Sequence, residues 1–427
     1  MTHAWLGWLS MGSVRKTRKD GTHILRSGHA AGRQRRRPCG LERLEDRSML
    51  SGQAITGLGV MGDSLSDEYA DEFHPVPVAS AKSWVELLAQ NRAVNVGPTG
   101  HWGEPRRDGY KYDWARYGAS SGTLLLLGED TGVAKQASQG LVSHAVLFIG
   151  ANDFYPGGSA YKGIYNGTWS QSQIDQQVST VVSNIRSAVQ TVTAAGTKLV
   201  VANLIDYGEV PLTRKQYTNA AGRDRVAAVI STVNTQIAQM AAQFRVPVAD
   251  LYGLGKLVLG TNQSPVTTLT VGGQPFLNWS GADRRFAFLP DGDHPNTVLQ
   301  AMLANTFLTA LNQGFGTDVS LFSEKDIDGL VGLPYGGHDT ANIPYSSFVI
   351  LPPSAAIGAG ANLALGSAKS SATALTAPPA ISDAALAALL ADGTSQPSSG
   401  KSSAKATVAI GSAGTIGYLD IATLERF

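Results

Sequence analysis

The sequence has little of several things, and each shortage excludes something. It holds one cysteine, Cys39, so an intramolecular disulfide is impossible. It has no run of about 18 apolar residues, the length a membrane-crossing helix needs. Its net charge is only +1 over 427 residues, which argues against nucleic acid as the main partner. The stretch "GVMGDSLSD" (59–67) follows an apolar run as a phosphate loop would, but it lacks the G-x-x-x-x-G-K-[ST] pattern, so a flavodoxin-like nucleotide binder is disfavoured.

Enough apolar material is present, 43% of residues, to form a sizeable core. The charge is unevenly placed. Residues 1–50 carry 11 Lys/Arg against 4 Asp/Glu, a net of +7, and the remainder carries −6. The segment "RKTRKDGTHILRSGHAAGRQRRRPCG" has no apolar periodicity and many like charges, which predicts a disordered leader over 1–52. Its apolar patch "AWLGW" precedes the charges, the reverse of an ordinary secretory signal. The following "LERLEDRSMLSG" resembles the L-E-x-L-E-D-R-x-L segment near the start of many exported bacterial proteins, which implies export. A short amphipathic helix is the plainer reading of those dozen residues.

The body reads as alternating strands and helices. "AITGLGVM" (54–61), "HAVLFIG" (144–150), "KLVVANLI" (198–205) and "VPVADLY" (246–252) are apolar on both faces, as buried parallel strands are. "RAVNVG" (92–97) is a weaker fifth. Between them, Ile174, Val178, Val181, Val182, Ile185, Val189 and Val192 keep one helical face, with Gly196 as a stop. A second stripe runs from Val226 through Ile230, Val233 and Ile237 to Phe244. A last helix over about 296–313 buries Leu299, Met302, Leu303 and Phe307. This rhythm predicts a doubly wound α/β sheet, with chemistry outside the carboxyl ends of the strands. Ser64, Asn152 and Asp206 each follow a strand and fall near that edge.

The folded body is expected over 53–316 and an irregular extension packed on it over 317–352. An Ala/Ser/Gly-rich low-complexity tail follows over 353–427, with a short helix in "ISDAALAALLADG" capped by Ser382 or Asp383.

A serine hydroxyl needs a histidine to take its proton, a carboxylate to orient that histidine, and donors for the developing oxyanion. Ser64 sits in a tight turn after the first strand. Of the eight histidines, His294 in "FLPDGDHPN" stands out because it precedes the last helix with Asp291 three residues earlier. Asp293 competes with Asp291 as the orienting carboxylate, and Asp291 is favoured because a residue adjacent to His294 seldom curls back onto its neighbour's ring. Turn chemistry with a helix-start proline at 295 explains the same residues. Asn152 in "IGANDF" can offer an amide to an oxyanion, or simply end a strand. Gly118 in "DWARYGASSG" can offer a backbone N–H. "GASSG" also matches the G-x-S-x-G elbow, with Ser120 as nucleophile, but the preceding "GYKYDWARY" is charged and mixed rather than a buried strand.

The order of these pieces carries more than each alone. Gly62-Asp63-Ser64-Leu65, then Gly118, then Gly150-x-Asn152-Asp153, then Asp291-x-x-His294 resembles the four blocks of the GDSL/SGNH hydrolase family, over about residues 53–316. The second block departs from the family's N-[FY]-A-x-x-G, since Asp113 precedes Trp114 here. The resemblance implies a three-layer α/β/α sandwich, flavodoxin-like, with a mostly parallel sheet of about five strands. It implies Ser64 as nucleophile, His294 as general base then acid, Asp291 as its orienter, and Ser64, Gly118 and Asn152 as the oxyanion hole. No metal or cofactor is implied. The expected function is an exported serine esterase, monomeric, acting on short acyl or acetyl esters, including carbohydrate-linked ones, or on lipids. "HWGEPRRDGYKYDW" (101–114) either covers the cleft or forms a surface loop. The alternative class is a non-catalytic surface or adhesion protein built on a hydrolase scaffold.

Overall fold

The computed structural model describes residues 53–69 and 81–353. The basic leader, the "LERLEDRSML" segment and the Ala/Ser/Gly-rich tail with its expected short helix lie outside the described residues.

The central sheet has five strands, in spatial order Leu58–Gly62, His144–Phe148, Lys198–Ala202, Val248–Ala249 and Val349–Ile350. The first four are parallel, with Gly62 opposite Phe148, Val146 opposite Val200, and Ala202 opposite Ala249. The first two are buried along their whole length, which is why their sequences are apolar at successive rather than alternate positions. The fifth strand runs antiparallel, pairing Val349 with Ala249, and comes from the irregular segment after 317.

The weak fifth strand expected at 92–97 does not form. That segment is extended and buries Val94 and Val96, but it has no continuous ladder. Asn95 accepts from the Leu58 N–H at 2.8 Å and Val96 from the Tyr112 N–H at 2.9 Å, so its carbonyls serve two different neighbours. The apolar pattern marked burial, and pairing was decided elsewhere. "VPVADLY" is likewise split: only two residues pair, and the Asp250 carboxylate accepts from the Gly253 N–H to start a helix over Leu251–Val258.

Helices cover both faces. Gln171–Ala194 and Ala220–Phe244 pack on each other and bury the two expected stripes. On the other face Thr297–Phe315 packs against Trp84–Asn91, with Phe307 touching both Trp84 and Phe148 at ring-centroid distances of 4.5 and 5.9 Å. Thr297–Phe315 is buried all round from Thr297 to Leu311, the mark of a core helix. Its buried polar groups are bonded. Gln300 accepts from the Trp84 N–H and donates to the Leu65 carbonyl at 3.3 Å and to the Tyr69 hydroxyl at 2.7 Å. This places a buried amide under the turn that carries Ser64. Among the described residues, no helix is long and apolar enough to cross a membrane.

Candidate active site

Ser64 lies just past the carboxyl end of the first strand. The strand stops at Gly62, where an added Cβ would come within 2.5 Å of the Phe148 carbonyl oxygen. The Asp63 carbonyl then accepts from the N–H groups of Ser66 and Asp67 at 2.9 and 3.0 Å, and its carboxylate accepts from Leu65 at 3.0 Å. These local bonds close a tight turn and leave the Ser64 side chain 8% exposed at its crest.

His294 arrives from a loop folded around one carboxylate. Asp291 Oδ1 accepts from the N–H groups of Asp293 and His294 at 2.8 and 3.0 Å, and its Oδ2 lies 3.0 Å from His294 Nδ1. On the other side of the ring, Nε2 lies 2.8 Å from Ser64 Oγ. A carboxylate only accepts, so in the neutral ring Nδ1 carries the proton and Nε2 accepts from the serine hydroxyl. Pro295 does not open the helix, as a plain helix-start turn would have it. Asn296 is the cap and Thr297 the first helical residue, while Pro295 bridges back to Phe288. The Tyr69 hydroxyl donates to the Pro295 carbonyl at 2.9 Å, tying the serine segment to the histidine segment.

Burial disfavours the imidazolium, but the Asp291 hydrogen bond and the charges of Asp293, Asp291 and Asp63 outweigh it, so the His294 pKa is raised. Asp293 is half-buried, with its Oδ1 buried and without a hydrogen-bond partner; burial pushes its carboxyl up to about 6, against the pull of His294. Burial likewise pushes Asp63 up to about 7. The geometry distinguishes the two carboxylates near the ring: Asp291 contacts the imidazole, and Asp293 acts on it through charge.

The segment 113–121 and the turn after the second strand meet beside this pair. Gly118 has φ +76° and is exposed, a backbone conformation that glycine adopts without strain. Asn152 Nδ2 donates one hydrogen to the Ala119 carbonyl at 2.9 Å, which fixes the amide plane and leaves the second N–H available. Among the described residues, neither the Ser64 N–H nor the Gly118 N–H donates to a protein acceptor. The Tyr117 N–H donates to Asp67 at 2.9 Å, and its ring stacks on His294 at 5.9 Å between centroids. The Asp153 carboxylate takes both the N–H and the hydroxyl of Ser121 at 2.8 Å. These bonds link the four sequence blocks. Tyr117 and Asp67 were given no role in the sequence reading, and Asp153 appeared there only as part of the third block; their nearness in the chain to Gly118, Ser64 and Asn152 was the one available hint.

Ser120 caps the helix Ser121–Leu127, its hydroxyl accepting from the Thr123 N–H at 3.3 Å. Asp206 does not join the network; its carboxylate accepts from the Gly208 N–H at 2.8 Å. Asp113, at the departure from the family's second block, is fully buried and accepts from the Ala115 N–H at 3.0 Å; burial raises its pKa well above the usual range. Most of the segment 101–114 belongs to a hairpin of Thr99–Gly103 and Arg107–Tyr110. Its tip is held by Arg116, which donates to the Glu104 carboxylate at 3.1 Å and to the Pro105 carbonyl, two residues before Gly118.

A family model for GDSL-like lipase/acylhydrolase matches residues 58–307. No curated protein matches the chain. Among solved structures, the chain is similar to the esterase EstA from Pseudoalteromonas, at 13% identity and TM-score 0.34 over 61% of this chain and 100% of that one. It is similar to an extracellular lipase from Streptomyces rimosus, at 15% and 0.37 over 60% and 99%. It is also similar to an acetyl xylan esterase from Geobacillus stearothermophilus, at 14% and 0.36 over 63% and 98%. The match spans most of the chain and all four segments that meet at Ser64, so the protein belongs to the GDSL-like lipase/acylhydrolase family and is an ester-bond hydrolase.

Proposed function

We propose that the protein hydrolyses carboxylic esters through an acyl-Ser64 intermediate and is exported. The observation that carries the mechanism is the run of contacts from Ser64 Oγ through both nitrogens of His294 to Asp291, at 2.8 and 3.0 Å. His294 takes the hydroxyl proton as Ser64 attacks the ester carbonyl. The raised His294 pKa reflects stabilisation of the imidazolium that this step forms. The N–H groups of Ser64 and Gly118 and the second amide hydrogen of Asn152 receive the oxyanion. Protonated His294 then gives its proton to the leaving alcohol. Water, deprotonated by the same ring, attacks the acyl-enzyme and frees the acid. The arrangement uses only side chains and backbone amides of this chain. Export rests on the resemblance of the "LERLEDRSML" segment to that of exported bacterial proteins, and cell fractionation checks it: protein confined to the cytosol overturns it.

Labelling with a fluorophosphonate, followed by peptide mapping, tests the mechanism. The label is expected on Ser64. Folded protein that stays unlabelled there would favour a binding protein on a hydrolase scaffold, and a label on Ser120 would favour the elbow.

A further inference from the structure

Gly118 sits in a β-turn that does not by itself fix where its own N–H groups point. The Ala119 N–H donates to the Arg116 carbonyl at 3.0 Å and closes the turn. Gly118 has φ +76°, the positive value that the third residue of a type II turn requires. The closing bond of a β-turn uses neither the N–H of its second residue nor that of its third. Here these belong to Tyr117 and Gly118. What the Tyr117 N–H meets therefore sets how the Gly118 N–H is aimed.

It meets Asp67, a buried carboxylate three residues after Ser64. Oδ2 accepts from the Tyr117 N–H at 2.9 Å and Oδ1 from the Glu68 N–H at 2.9 Å, while the Asp67 N–H donates to the Asp63 carbonyl at 3.0 Å. Bonds from amides to a carboxylate are stronger than bonds between neutral groups, so this one ties the serine turn firmly to the 116–119 turn. The same bond places the Tyr117 ring. Both nitrogens of His294 are engaged in the ring plane, by Asp291 and Ser64, which leaves the imidazole free to tilt only through its faces. Tyr117 lies against one face, its plane at 24° to the imidazole. A ring stacked there resists the tilt and gives the imidazolium an aromatic face.

We propose that Tyr117 is a positioning residue for the reaction, set in place by Asp67: its ring holds His294 in line between Ser64 and Asp291, and its fixed N–H aims the neighbouring Gly118 N–H at the oxyanion. The proposal rests on Ser64 being the nucleophile. Asp67 then links both halves of the site, the base and the oxyanion donor, to the turn that carries the nucleophile. Asn152 fixes the far end of the same turn through the Ala119 carbonyl at 2.9 Å. The roles are separable. The ring of Tyr117 acts on His294 alone, whereas the carboxylate of Asp67 acts on the ring and on the Gly118 N–H together.

The test uses the intact protein, with two rates read on each variant: kcat for p-nitrophenyl acetate, with its KM, and the rate of fluorophosphonate labelling at Ser64. Tyr117→Phe keeps the ring and should retain most of both rates. Tyr117→Leu and Tyr117→Ala should lower both by about threefold to thirtyfold, the range of an aromatic contact with a cation, with KM little changed. Asp67→Ala should cost about a hundredfold, as misplaced reacting groups do. Asp67→Asn keeps one of the two acceptors and should fall between. Tyr117 is half-buried, so its variants carry the test even if Asp67→Ala does not fold. Wild-type rates in Tyr117→Leu and Tyr117→Ala, an effect confined to KM, or an equal loss in Tyr117→Phe overturns the proposal. Labelling of the wild type separates the two failures. With Ser64 labelled, only the Tyr117 assignment falls; with Ser64 unlabelled in folded protein, the nucleophile assignment falls and takes Tyr117 with it.

Discussion

Two serines in this chain follow small residues in glycine-rich turns, and their surroundings give them opposite uses. Ser64 stands past a buried parallel strand, its turn closed by bonds to Asp63, so its hydroxyl is left to meet His294 at 2.8 Å. Ser120 follows a polar segment and opens a helix, and its hydroxyl is engaged by the Thr123 N–H and side chain. A serine is available for chemistry when the backbone closes its turn by other means, and unavailable when its own oxygen has to close it. Short motifs do not record that difference, because both turns are built from the same residue types.

The comparison can be broken most directly at the hydroxyls. Ser64→Ala should lower kcat by about 10⁶, the scale for loss of a serine nucleophile, with the melting temperature little changed; retained turnover would return Ser120 to consideration. Next in size is Asp291→Asn. It should cost about 10⁴ in kcat, because the wrong ring nitrogen then carries the proton. Asp293→Asn should cost far less, which separates the two carboxylates kinetically. Asn152→Ala should cost about 10²–10³ in kcat with little change in KM, as the loss of one oxyanion donor does.

A smaller effect is expected in the pH profile. His294 accepts a proton only when neutral, so activity falls as pH drops through its raised pKa. The Asp293 charge helps to raise that pKa, so Asp293→Asn should move the acidic limb of kcat/KM to lower pH. A limb that stays in place would show that Asp293 is not felt by the ring. Smallest of all, Ser120→Ala should leave kcat/KM intact and lower stability by about 1 kcal/mol through loss of a helix cap, read as a denaturant midpoint.

Much of the frame was legible in the chain. Strands buried on both faces are apolar at every position, and long helices with one buried face keep a 3.6-residue stripe, so both survive as patterns. The segment 92–97 shows the limit. Its valines are buried as their pattern implied, but its carbonyls bond to two separate neighbours, and no local signal encodes which partner a strand finds. The edge strand Val349–Ile350 was invisible for a simpler reason: two residues have no periodicity. Tyr117 was missed because an aromatic in a loop reads the same whether it faces solvent or stacks on a histidine.

By itself the sequence determined the order of the four blocks and the strand endings that bring Ser64 and Asn152 to one edge, because burial and turn chemistry act over a few residues. It also placed Asp291 and Asp293 near His294. The sequence favoured Asp291 of the two; only the tertiary structure shows how it reaches the ring, with the loop wrapping its N–H groups around Asp291 Oδ1 and so aiming Oδ2 at the imidazole. It alone brought His294 to Ser64, across 230 residues, because that contact is held by packing of the helix Thr297–Phe315 under the serine turn, through Gln300 and Tyr69.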